Sequence, residues 1–469
     1  MTWWRGSSRR VRAPPGALMR TRGTAASTAR SPAAHGRAAR LRVAPSPPRA
    51  AQVSPRGSWR PAGGAERRCP RATPCPRRAG RRAVPWRLSR RALVARRDSR
   101  ERALSARSLQ MKSGIEGLAE DLLSPALTTG DGPGAYDRLL IAVRELRDDP
   151  TLTTPLAAAW ADRSFAGPLE RPLLVLAALR FLALADDGHP LAPEVLLDAE
   201  AERLPDRLVE ALADPRLVDV LRVRAVRGDD PGRAMAWGVV AMALELKHHR
   251  FALVDLAAIA GPSLVIDLTP VPWKVGVNAI TGLDVPSPWS RLGLQPEPLD
   301  VAADEAAARW LRACIWPSRR ERLQRLDSGL AAWRRPWRGR GPAPRLERHR
   351  LGVDPALPYL EAAAAQDQVD AVVAFEAVAQ PYLAPEALGA YRDELHSWLA
   401  GGRERVWITL DPAPPGPTGS GGGPMSLCVG LGAAPELGLV EIARAAYHPT
   451  GCTLVPGGVG QLRERWGTP

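Results

Sequence analysis

The residues best suited to chemistry lie in one stretch, residues 251–267, FALVDLAAIAGPSLVID. An apolar run ends in an acid, Asp255. Small residues follow (Ala257, Ala258, Ala260, Gly261), and then a second apolar run. The first strand and phosphate turn of a nucleotide-binding α/β sheet have this order. A strand covered on both faces is apolar without alternation, and the turn after it needs small residues so that backbone N–H groups can approach a ligand. The turn is sparse, however. It has one glycine, Gly261, and the following Pro262 removes a donor. Two readings stand: a nucleotide site, or a scaffold that has lost its ligand, with Asp255 capping a turn and Gly261 making a tight bend.

Other chemistries find no support. The sequence contains no HExxH, GxSxG, Walker or paired Cys-His spacing, so hydrolase, kinase and zinc-enzyme readings have no motif behind them. His248 and His249 are adjacent, so on a helix their side chains diverge, and no metal site is expected. The five cysteines, Cys69, Cys75, Cys314, Cys428 and Cys452, are scattered and form no CxxC pair. They suit a reducing interior rather than a disulfide framework, and the expected location is the cytoplasm. No apolar run approaches the ~18 residues of a membrane span, so no membrane partner is expected.

The elements that would position Asp255 follow from periodicity. Residues 115–246 read as helices: YDRLLIAVREL has helical apolar spacing, and RPLLVLAALRFLALA is apolar nearly all round, as a central bundle helix is. Residues 269–298, rich in Pro and Gly, read as a loop with one short strand at most. Asp304 is a candidate N-cap, Pro317 ends that helix, and a second helix runs from 318 to about 333. The tract RRPWRGRGPAPRLERHR reads as a solvated basic loop, with a phosphate contact as the alternative. Residues 369–379, carrying Glu376, and 405–411 read as strands. SLCVGLG and GCTLVPGG read as the last strands, and DPAPPGPTGSGGGP as a flexible loop. Strands alternating with helices predict an α/β fold: a Rossmann-like, mostly parallel sheet with helices on both faces, behind a helical N-terminal subdomain. Its decisive feature is an interior strand at 251–256 with parallel neighbours near 371–376 and 405–410.

Charge divides the chain. The sequence has 469 residues and a formal charge of +16. Residues 1–110 hold 28 arginines, no lysine and three acids (+25), whereas the remainder holds 37 basic and 46 acidic residues (−9). The first 110 residues are too poor in aliphatic side chains to offset chain entropy and are expected to be disordered. Three readings compete for them: a basic arm for nucleic acid, an Arg- and Ser-rich transit peptide, or GC-rich DNA read outside its frame, with Met111 as the natural start. A nucleic-acid partner is expected only if this extension is real. The expected divisions are 1–110, a helical subdomain at 111–246, and an α/β domain at 247–469.

Several segments in consistent order carry a resemblance: YDRLLIAVRELRDDP, RPLLVLAALRFLALADDGHPLAP, LVDLAAIAGPSLVID, WLRACIWPSRRERLQRL, VVAFEAVAQPYLAPEALGAYRDEL and AYHPTG. From about Gly134 onward the chain resembles a bacterial family known as domain of unknown function twenty-three thirty-two. The resemblance implies a methyltransferase-type Rossmann fold behind a helical segment and carries no established reaction. The polar positions depart from the family pattern. Its Glu-Ile-Gly-Ala-Ser-Ala-Gly-Leu-Asn-Leu motif appears here with Asp255 for the acid, Ala257 for the first glycine, Ile259 for the serine, and Gly261 kept. Its Asn-Glu-x-x-Arg becomes Asp229-Asp230-Pro231-Gly232-Arg233, Phe-His-Thr becomes Phe375-Glu376-Ala377, and His-Gly becomes His448-Pro449-Thr450-Gly451. A divergent or inactive relative would look like this.

If the site works, the resemblance implies S-adenosylmethionine as cofactor, approached by Asp255 and Gly261. Asp284 is the nearest acid for the ribose hydroxyls. Asp230, Arg233, Arg312, Glu376 and His448 would face the cleft, where Glu376 or His448 would act as general base toward an unknown small molecule. Each has a bland competitor: a solvated strand end for Glu376, a lone histidine for His448, and for Arg312 a packed helix end with its stem along the ring of Trp316. The functional alternative is a catalytically silent member with a structural or protein-interaction role.

Overall fold

The computed structural model describes residues 112–124, 134–165, 169–197, 199, 203–228, 230–337, 341–412 and 424–467. The readings for residues 1–110 and for the core of the Gly/Pro-rich loop after 412 lie outside these residues.

Helices form the front of the described chain: α1 (Leu118–Leu122), α2 (Ala135–Glu145), α3 (Pro150–Trp160), α4 (Glu170–Ala183), α5 (Ala192–Leu197), α6 (Leu204–Leu212) and α7 (Pro215–Val223). A two-stranded ribbon of β1 (Lys112–Ser113) and β2 (Ser164–Phe165) joins them. Three helices start at an Asp-Pro pair. Asp149, Asp214 and Asp230 each accept a backbone N–H two residues on, and the following proline occupies the first helical position, where its missing donor costs nothing. As its sequence predicts, α4 is buried almost all round, amid a core that includes Leu139, Leu156 and Trp160. Each such leucine contributes about 1.5–3 kcal/mol by leaving water.

After α8 (Pro231–Ala243) come β3 (Phe251–Asp255), β4 (Trp273–Val275), β5 (Asn278–Ile280), β6 (Ser290–Gln295), α9 (Glu305–Ala313), α10 (Arg320–Trp333), β7 (Arg345–Arg348), α11 (Leu357–Ala364), β8 (Ala371–Ala377), α12 (Pro385–Ala400), β9 (Arg405–Pro412), β10 (Met425–Leu431), β11 (Val440–Ala445), β12 (Gly451–Leu454) and α13 (Gly458–Trp466). Among the described residues they build a ten-stranded sheet in the order β5-β4-β12-β11-β10-β9-β8-β3-β6-β7. All five residues of β3 are buried, and it pairs in parallel with β8 and β6. The parallel half runs β7-β6-β3-β8-β9, and the other half is antiparallel except where β12 meets β4.

Two expected loops contain strands. Residues 269–298 supply β4, β5 and the fully buried β6, SRLGLQ. Its arginine hid it: Arg291 is buried against Asp267 (2.5 and 2.9 Å) with Trp337 stacked on the guanidinium, so a charge sits at a core position. The basic tract yields β7, a short edge strand beside β6 whose arginines face water, as sheet edges tolerate.

Candidate functional site

Strand order reverses between β3 and β8, since the chain moves outward to β6 and β7 and then returns to β8 and β9 on the other side. Open α/β sheets bind ligands outside the carboxyl ends of strands at such a switch point. Three adjacent strands end there in acids: Asp255 on β3, Glu376 on β8 and Asp411 on β9.

Register separates these acids. Asp255 lies opposite Phe375, so its side chain shares the face of Phe375, Leu253 and α8. Glu376 is one residue further and points to the opposite face, with Val372, Ala374 and Tyr391 of α12. Asp255 is fully committed within its own turn: Ser263 Oγ donates to it at 2.6 Å and the Ala257 N–H at 3.1 Å. Burial pushes its carboxyl up to about 6 against those two donors. The turn ends at Gly261, whose φ of +90° is costly for other residues. A Cβ there would lie 2.7–2.9 Å from the ring of Trp333, so Gly261 makes room for an indole of the same chain. Glu376 is wholly buried and accepts from Gln380 Nε2 and the Tyr391 hydroxyl, each at 2.7 Å. Burial, reinforced by the charge of Asp411, pushes it up to about 8. Between Glu376 and Gln380, the β-branched Val378 holds φ +55°, an uncommon left-handed conformation of the kind that concentrates at functional sites.

A second cluster lies at the same sheet edge, on the Asp255 face. Asp230 caps α8 through the Gly232 N–H (3.0 Å) and lies 2.9 Å from His448 Nδ1. Arg322 Nε is 3.5 Å from the same carboxylate, and an Arg322 terminal nitrogen is 3.3 Å from His448 Nε2. Neutral His448 satisfies this chain, with Nδ1–H donating to Asp230 and Nε2 accepting from Arg322. Arg233 donates to the Tyr447 carbonyl (3.0 Å) and stacks on the Tyr447 ring. Burial lowers the His448 pKa despite Asp230. Burial alone would raise Asp230, but the His448 hydrogen bond and the charges of Arg322 and Arg233 bring it below the ordinary range. Arg325, one helical turn beyond Arg322, packs its stem beside Gly232.

The sequence model of a family described as an uncharacterised protein conserved in bacteria, DUF2332, matches residues 128–451. The chain belongs to this family. No curated protein and no solved structure gives a significant match.

Of the site residues named from sequence, this DUF2332 chain brings Asp230, Arg233 and His448 into one cluster, with Asp255 on the same face of the sheet. Glu376 is on the other face. Asp284 stands apart on an exposed turn, where its carboxylate accepts from the N–H and hydroxyl of Thr281 (2.7 and 2.9 Å). Arg312 lies on the surface of α9 between Asp327 (2.6 Å) and Glu305 (3.2 Å). Sequence reasoning missed Arg322, Arg325, Asp411 and Tyr391. The first two carried a signal: in RRERLQR they fall three apart, on one face of α10, with the close-packed Gly329 four residues beyond. Among the described residues no cluster of three His, Cys, Asp or Glu could hold a metal, and no helix is long and apolar enough to cross a membrane.

Proposed function

We propose that this DUF2332 protein is a methyltransferase-like Rossmann member that is silent as a methyltransferase and keeps the sheet for binding or structural work. One observation carries the reading: the turn after β3 has spent its small residue on a protein side chain, with Trp333 in the space beside Gly261. Three features agree with it. Both oxygens of Asp255 already have donors within the turn, and Asp284 is engaged with Thr281 away from it. Glu376, the first candidate base, faces the other side of the sheet and has its own donors. The Nε2 of His448, the other, already faces Arg322. The free thiols Cys314, Cys428 and Cys452 are consistent with a cytoplasmic location, which we include in the proposal.

A specific observation favours a second reading, S-adenosylmethionine binding: the strand-order reversal puts Asp255 where such folds take nucleotides. Calorimetry of the full chain with S-adenosylmethionine and S-adenosylhomocysteine separates the two. The silent reading expects no saturable heat at millimolar ligand. Saturable binding that disappears in Asp255→Ala would establish the second reading in its place.

A further inference from the structure

A hydrogen-bonded chain runs from the surface to the buried Glu376 through one amide. The exposed Arg392 donates to Gln380 Oε1 at 2.9 Å, and Gln380 Nε2 donates to Glu376 at 2.7 Å. Gln380 belongs to the turn after β8, and the same turn is held by a second acid. Asp411, at the end of β9, accepts the Ala379 N–H at 3.1 Å and the Thr409 hydroxyl at 2.7 Å. Between these two anchors sits Val378, the one β-branched residue with a positive φ (+55°) among the described residues. That conformation is unfavourable for a side chain branched at Cβ and persists only where the surroundings impose it. The turn is further tied by the Val378 N–H to the Leu410 carbonyl (2.9 Å) and by the Tyr382 and Leu383 N–H groups to the Ala379 and Gln380 carbonyls (3.1 Å each). From β9, Glu376 faces Thr409, Trp407 and Asp411, and from α12 it faces Tyr391. Arg392 reaches Gln380, Glu394 acts on Tyr391, His396 stacks against Trp407, and Asp255 of β3 points to the other side of the sheet. No cation among the described residues hydrogen-bonds to Glu376; its donors are Gln380 and Tyr391.

We propose that residues 377–383 are a proton-latched strap: un-ionised Glu376 keeps Gln380 seated, and loss of its proton to water frees the strained turn from the sheet's carboxyl edge. A buried carboxylate that has neutral donors and a second acid beside it is costly. The carboxylate lowers that cost by meeting water. The turn is the element that can give way, since Tyr391 and Trp407 are core residues of α12 and β9. Release of Val378 from its positive φ favours the same movement. The sign agrees: the seated form keeps the Glu376 proton up to about 8, against an ordinary 4.5, so the open form gains as pH rises through that window. The strap goes beyond the silent-methyltransferase reading and does not depend on it, because neither Asp255 nor the turn after β3 takes part.

The test is hydrogen exchange of the full chain from pH 6 to pH 9, read by mass spectrometry on peptides covering 377–383 and 371–376 and corrected for the intrinsic rate at each pH. The strap should exchange faster than β8 throughout, and its protection should fall about tenfold or more between pH 6 and pH 8. Glu376→Gln has no proton to lose there and should hold the strap's protection within about twofold over the same range. Should Glu376→Gln fail to fold, infrared spectroscopy of wild type replaces it. The C=O stretch of an un-ionised carboxyl group should be present at pH 7 and disappear near the pH at which the fall in protection levels off. The proposal is overturned if the strap and β8 exchange together, which marks opening of the whole fold, or if wild-type protection does not change with pH. It is equally overturned if Glu376→Gln shows the wild-type fall, or if no un-ionised carboxyl group is seen at pH 7.

Discussion

On one face of the sheet's carboxyl edge, Glu376 is a buried acid surrounded by neutral donors, Gln380 and Tyr391. On the other face, Asp230 is a buried acid beside two arginines, Arg322 and Arg233, and a histidine. Burial is similar, but the electrostatics are opposite. Glu376 meets the desolvation cost by keeping its proton, whereas Asp230 meets it by pairing as an anion. The first region pairs its acid with neutral donors of its own chain. The second keeps its acid charged among cationic partners.

The sharpest way to break the contrast is Asp230→Ala. It removes a helix cap and the buried carboxylate that faces Arg322 and His448, at an expected cost of about 3–5 kcal/mol. Urea unfolding measures it, and a loss below about 1 kcal/mol would mean the arginines are better solvated than their burial indicates. Gly261→Ala comes next, at about 1–3 kcal/mol, because both the positive φ and the Trp333 ring resist a Cβ. If Gly261 served a ligand instead, the free protein would tolerate the change.

The pH dependence sharpens the comparison further. The folded-state pKa of Glu376, about 8, lies above its ordinary 4.5, so the folded chain holds a proton that the unfolded chain has lost. Its contribution is full below about 4.5 and declines as pH rises toward about 8. Asp255 behaves likewise between about 3.8 and about 6. Asp230, lowered, has the opposite sign: its contribution holds above its ordinary value and is lost in acid. Glu376→Gln should flatten the stability profile between pH 6 and 8 and gain on wild type at the alkaline end, since the Tyr391 hydroxyl can turn to accept from the new amide. An unchanged slope in Glu376→Gln would place the titration elsewhere. The smallest effect belongs outside both regions: Arg312→Ala should cost under about 1 kcal/mol, because its partners Glu305 and Asp327 are over half exposed.

Much of the fold was legible because burial writes itself into composition. FALVD, AVVAFEA and RVWITLD are apolar runs of strand length, and they pair in parallel as read. β6 was not legible, because an ion pair with Asp267 lets an arginine occupy an interior position. The site was legible in part. Asp230, Arg233 and His448 stood out as polar residues at positions aligned with a family pattern, whereas Arg322 and Arg325 were indistinguishable from a solvated basic helix face until α10 was set against α8.

The sequence alone determined that FALVD, AVVAFEA and RVWITLD are interior strands and that the turn after β3 is poor in glycine. Those are local properties, set by side-chain hydrophobicity and backbone freedom over a few residues. Only the tertiary structure decided that Asp255 and Glu376 look away from each other, that Trp333 fills the space beside Gly261, and that residues more than 200 positions apart, Asp230 and His448, share a hydrogen bond. Strand register, helix rotation and loop contact each depend on what the rest of the chain packs against, and a one-residue shift in register turns a side chain to the other face.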